Sequence, residues 1–193
     1  MRGKEICGIT LLALLASGQA GASMVEQLDT TRLTKQARWI HVGQVTDSWS
    51  SPDSSNGMIF TYVKMHVEQT VKGEPAQEVL IRIPGGRFRD HGMIVHGMVR
   101  FSRGERALVF LDSDREGNPS VVGLAQGKFR VYKSPVNGED MAMFQAPSDL
   151  EVISRTATGS IRQVVATQVE RRVLLKSLLS DIRSAMSETE TVH

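Results

Sequence analysis

From Phe60 to Leu111 the chain alternates between apolar and polar positions in three runs separated by turn-forming residues. In the first, Phe60 to Val71, residues Thr61, Val63, Met65, Val67 and Val71 share one parity, and Tyr62, Lys64, His66 and Glu68 the other, a period of two that only a strand keeps on one face. Lys72-Gly73-Glu74-Pro75 breaks this run, and Glu78 to Ile83 resumes the alternation, so the pair predicts a hairpin. Pro84-Gly85-Gly86 ends the second strand. Ala107 to Leu111 is apolar at every position, the signature of a strand covered on both faces.

The same reading extends outward. Asp29 or Thr30 is an N-cap for a short helix with Leu33, Ala37 and then Ile40 on one stripe. Trp39 to Val45 follows as a strand, with Gly43 marking a bulge or the close crossing of another strand. Ser48 to Gly57 reads as a polar loop closed by Asn56-Gly57. Between Gly85 and Gly104 two short strand pieces, Met93 to Val95 and Met98 to Phe101, are divided by His96-Gly97. Val121 to Leu124 and Lys128 to Tyr132 form a further β pair around Gln126-Gly127, and Met141 to Phe144 is another short strand. Ser154 to Gly159 lacks apolar period and reads as connector, within a linking segment 151–170. Leu175, Leu178, Leu179, Ile182 and Met186 recur at three and four, which predicts a C-terminal helix over 171–187 followed by a polar tail, 188–193.

The first residues change the compartment. Arg2 and Lys4 precede an apolar run from Ile6 to Leu15, and Ala20-Gly21-Ala22 supplies a small-residue cleavage site, so 1–22 reads as a secretory signal removed before Ser23. The apolar run is shorter than the roughly 20 residues of a spanning helix, and no membrane association is expected after cleavage. The expected location is periplasmic or extracellular. The chain has 193 residues, and its single cysteine, Cys7, lies in that leader. A mature domain from Ser23 would have no thiol nucleophile, thiolate ligand or disulfide. Of 23 basic and 21 acidic residues, removing Arg2, Lys4 and Glu5 leaves 21 and 20. Near-neutral charge gives no nucleic-acid signature, so nucleic acid is not expected as a partner.

The strand reading Trp-Ile-His-Val-Gly-Gln-Val, the strand ending Val-Glu-Gln-Thr-Val-Lys-Gly, the run into Pro-Gly-Gly, and Phe-Ser-Arg-Gly-Glu-Arg-Ala-Leu-Val-Phe-Leu carry a resemblance. In that order, over residues 28–132, the chain resembles uncharacterised secreted bacterial proteins whose pattern is similar to the netrin-like, OB-type domain of tissue inhibitors of metalloproteinases. The resemblance implies a five- or six-stranded antiparallel barrel with a helix packed against it, and with the helices read above the expected fold is mainly β, an OB-like barrel domain over 23–150 with an N-terminal and a C-terminal helix. It also implies a secreted protease as partner, by fold analogy alone. The family's inhibitory cysteine has no counterpart here, because the expected mature start is Ser23-Met24-Val25 and no cysteine follows it.

Candidate chemistry is sparse. The chain has no G-x-S-x-G elbow, no H-E-x-x-H and no phosphate-binding G-x-x-x-x-G-K-[ST]. His41, His66, His91 and His96 fall outside metal-ligand spacing, so no metal and no cofactor are expected. Arg82, Arg87, Arg89, Arg100, Arg103 and Arg106 oppose only Asp90 and Glu105, a basic excess suited to an acidic partner or to a solvated rim. The sequence therefore predicts an exported, non-enzymatic binding or accessory domain that meets a protein partner through the loops at Ser48 to Gly57 and Gly85 to Gly104. Its candidate contact residues are Trp49, Arg87, Arg89, His91, His96 and Arg103. A hydrolase with a His-centred site and a polyanion-binding OB-type module stand as alternatives.

Overall fold

The computed structural model describes residues 23–54, 56–147, 150–155, 161–165 and 170–190. The expected signal segment 1–22, residues 156–160 and 166–169 of the expected connector and the end of the tail, 191–193, lie outside them. The elements run β1 (Ser23–Glu26), α1 (Thr30–Gln36), β2 (Trp39–Pro52), β3 (Ile59–Lys72), β4 (Glu78–Pro84), β5 (Gly86–Phe88), β6 (His91–Met93) and β7 (Arg106–Ser113). They continue with β8 (Pro119–Val121), β9 (Lys128–Lys133), β10 (Asp140–Gln145), β11 (Leu150–Arg155), β12 (Ile161–Val165), β13 (Glu170–Leu174) and α2 (Leu175–Glu190).

The architecture is mainly β. Its centre is an antiparallel half-barrel in the order β13, β10, β9, β7, β2, β3, β4, with β8 added to the far end of β7. β8 comes to lie against β4 and so narrows the open side. The curl comes from β2 and β3, where Val71 and Glu68 on one strand and Thr46 on the other are extra residues that shift the register. Each such bulge increases the local twist. β5 and β6 form a small hairpin laid across β2 and β3, while β1 pairs parallel with β11, which pairs with β12.

The hydrophobic pattern explains the core. Val63, Met65 and Val67 of β3 are buried on the predicted parity, and Ala107 to Leu111 of β7 are each fully buried. Phe129 packs between Phe110 and Phe144, with ring centroids 6.0 and 5.9 Å apart. Asp29 caps α1 by accepting from the Arg32 backbone N–H at 2.7 Å, and Leu33 and Ala37 are buried on the predicted stripe. The other end of α1 receives Lys72, whose Nζ donates to the carbonyls of Thr34 and Ala37, both at 2.7 Å. A cation there complements the negative end of the helix. α2 packs on α1 and buries Leu178 and Ile182.

Several boundaries differ from the sequence reading. Ser48 to Pro52 belong to β2 and not to a loop, because Trp49, Ser51 and Pro52 stay in register with Tyr62, Phe60 and Ile59. The turn contracts to the residues after Pro52, where the Met58 N–H donates to Asn56 Oδ1 at 2.8 Å. Met98 to Phe101 is irregular chain rather than strand, and it packs Met98, Val99 and Phe101 against the core one side chain at a time. After Val121 the chain turns through Gly123 and Leu124, both at positive φ. The expected connector, 151–170, holds all of β11 but its first residue, all of β12 and the first residue of β13. The C-terminal helix starts at Leu175, because Arg172 and Val173 are paired in β13 with Met143 and Ala142 of β10. It runs on to Glu190, past the expected end.

His41 is fully inside this sheet, 2 % exposed, with Nδ1 3.2 Å from the Thr70 hydroxyl. Burial lowers its pKa below the ordinary imidazole value of 6.5. The unfolded chain then binds a proton that the folded chain refuses, so stability is complete above 6.5 and falls as the pH drops through the folded value. The unfolding free energy from urea titration is expected to fall between neutral pH and mildly acidic pH, by at most about 1.4 kcal/mol per pH unit. His41→Gln should remove that slope; a variant with the wild-type slope would assign it to other groups.

Candidate binding groove

The residues around Gly104 are folded by local hydrogen bonds into a rigid turn. The Glu105 N–H donates to the Ser102 carbonyl at 3.0 Å, and the Ser102 N–H donates back to Glu105 Oε2 at 2.9 Å. Gly104 takes a φ of +81° that favours glycine, and its N–H donates to the Val45 carbonyl at 2.8 Å. The turn is thus fastened to β2 just before the Thr46 bulge, and Arg103 stands exposed at its tip.

Facing it is β9, where the period of two sends Phe129 and Val131 inward and leaves Lys128 and Arg130 on the other face. An open groove of about 860 Å³ lies between them. Its walls carry His96, Arg100, Arg103, Lys128 and Arg130 against the single carboxylate of Glu105. Buried Val99 and Ala125 line it as well. Lys128 is the least exposed of these cations: Nζ donates to Glu105 Oε1 and to the Arg100 carbonyl, each at 2.6 Å, and lies 4.7 Å from the Phe101 ring centre. Burial lowers its pKa; the hydrogen bond and charge of Glu105 work against that, and the nearby Arg130 adds to it. Glu105 is therefore committed inside the wall, and the arginines supply a surplus of positive charge facing solvent.

The structure separates the sequence candidates. Arg103 and His96 line the groove. Arg87, Arg89 and His91 stand on the β5 and β6 hairpin, exposed, with Arg89 at the turn (φ +52°) and its guanidinium 5.2 Å from the Phe88 ring centre. Trp49 lies on β2, 43 % exposed and stacked on Tyr62 at 5.8 Å. Two further arginines of the basic run are spent internally: Arg82 on Asp53, Asp114 and Glu116, and Arg106 on Glu68 and Asp140. His41 is inside the sheet, while His66, His91 and His96 are exposed on different elements. Among the described residues no three His, Cys, Asp or Glu side chains are placed to hold a metal ion. Lys128 and Arg130 were missed as site residues, although their i and i+2 spacing between inward Phe129 and Val131 was there to be read.

Comparison with known proteins adds no family: no protein-family model matches the chain, and no curated protein matches it. No helix among the described residues is long and apolar enough to cross a membrane.

Proposed function

We propose that this chain is an exported binding domain built on an OB-type, netrin-like barrel, and that it recognises a protein partner through the groove between the Gly104 turn and β9. The observation that carries the reading is the charge of that groove. Arg100, Arg103 and Arg130 are exposed on its walls, while its acidic side chain, Glu105, is already paired with Lys128. Uncompensated guanidinium groups around a concavity attract carboxylate or other anionic groups and steer their approach. The bulged, strongly curled β2 and β3 and the approach of β8 to β4 support the barrel assignment. The leader at the N-terminus supports a periplasmic or extracellular site of action.

Heparin serves as a generic polyanion to test the groove. The protein should be retained at physiological ionic strength, about 0.15 M. The triple variant Arg100→Gln, Arg103→Gln, Arg130→Gln should elute at clearly lower salt, with a shallower salt dependence for three lost contacts. All three residues are exposed, so the fold is not at stake. Co-elution of the two proteins would remove the groove from the reading.

A further inference from the structure

Resting on that reading, we infer that the groove takes an acidic peptide segment with a large apolar side chain among its carboxylates, and that Met143 receives that side chain. Met143 lies on β10 between Ala142 and Phe144, which are buried, so the period of two turns it outward into the groove. It is only partly covered there. Across the ladder it pairs with Arg130 of β9, which sets an exposed guanidinium beside the thioether, since directly opposed side chains in a sheet start about 5 Å apart. On its other side Arg172 of β13 is taken by Glu170, which leaves Arg130 to meet an incoming carboxylate next to Met143. Pro147, also partly exposed, continues the apolar strip beyond the end of β10.

This lining separates ligand classes. An acidic glycan or a polyphosphate pairs with Arg100, Arg103 and Arg130 but brings no aliphatic side chain to Met143 and Pro147. A peptide brings both, and a flexible, polarisable thioether adapts to apolar side chains of different shape. Single-stranded nucleic acid binds through exposed aromatic faces on which bases stack. Phe101 is only partly exposed, and the Lys128 ammonium, already held by Glu105, lies over its ring at 4.7 Å. Lys128 is thus part of the wall, and a ligand meets the three arginines and the apolar strip.

The test uses the purified protein and two fluorescein-labelled peptides of equal length and charge, Asp-Glu-Asp-Leu-Asp-Glu-Asp and its variant with Ser in place of Leu. Fluorescence anisotropy should give a Kd about tenfold tighter for the Leu peptide, the value of covering one aliphatic side chain by about half. Met143→Gln keeps the side-chain length and removes its apolar character. It should bring the two peptides level by weakening the Leu peptide alone, and should elute from heparin with the unaltered protein. The triple arginine variant should weaken both peptides. Equal affinities in the unaltered protein would overturn the inference, as would a Leu preference that survives Met143→Gln, or displacement of the Leu peptide by an oligothymidylate at lower concentration than by the unlabelled Ser peptide. Earlier elution of Met143→Gln from heparin would overturn it as well, because Met143 would then act on every anion alike. Failure of both peptides to bind a protein that heparin retains through its groove arginines would overturn it too, and would leave the groove reading standing. Co-elution of the triple variant on heparin would instead remove the groove itself.

Discussion

Arg82→Met is expected to lower the unfolding free energy by about 4 kcal/mol, the range for leaving buried charges without their partner. Arg82 is 7 % exposed on β4, with its guanidinium 4.0 Å from the centre of the Phe60 ring. Asp53, Asp114 and Glu116 converge on it: Nη1 lies 3.4 Å from Asp53 and donates to Glu116, and Nε lies 2.9 Å from Asp114. The three acids belong to the turns after β2 and after β7, so one cation pins both turns to the edge of the half-barrel where β8 meets β4. Methionine fills much of the same space but removes the cation on which Asp53 and Asp114 converge. Denaturant titration reads the loss as a lower midpoint at an unchanged slope. Adding Asp114→Asn should recover part of it, because the two sites share one network.

Acid adds a signed check. Burial pushes the Asp114 carboxyl up, but backbone N–H bonds from Asn118 and Glu116 and the charge of Arg82 outweigh it and bring it below the ordinary carboxylate value of 3.8. The stabilisation is therefore present above that value and is lost as the pH falls through the folded one. The gap between the unaltered protein and Arg82→Met should narrow in that window. A loss under about 1 kcal/mol at neutral pH would mean that these charges are solvated and contribute little.

Arg82 and Arg103 show what could be read from the sequence and what could not. Both belong to one basic run, and composition treats them alike. Their fates diverge because Asp114 and Glu116, some thirty residues later, return to β4 through the β7 and β8 pairing, while nothing comparable returns to Arg103. The groove depends on the same kind of remote contact: Lys128 and Arg130 face Arg103 only because β9 pairs with β7. Alternation along β3 and β4 and the unbroken apolar run of β7 were legible, since each strand carries its burial pattern in its own residues. The start of α2 was not. The leucines that continue its stripe begin beside Val173 and Leu174, whose apolar side chains suit a helix face and a paired strand equally well, and pairing with β10 decided between them.

Gly43 is the position where a sequence signal and a contact coincide most closely. It sits in the middle of β2 between Val67 of β3 and Ala107 of β7, at the point where Glu68 is squeezed out of register. A Cβ built there would lie 2.2 Å from the His66 carbonyl oxygen and 3.1 Å from both its carbon and Met65 Cγ. The oxygen belongs to the backbone of a central strand, so relief requires β3 to move away from β2 and the bulge to open. Gly43→Ala should therefore cost about 3 kcal/mol, at the upper end of overpacking penalties, and Gly43→Val more. Gly92→Ala is the matched control, because a Cβ on Gly92 meets nothing within 4 Å and its φ is not in the left-handed region. The control should unfold within about 0.5 kcal/mol of the unaltered protein. If Gly43→Ala unfolds there as well, β2 and β3 have room to separate, and the curl of the half-barrel does not depend on this close approach.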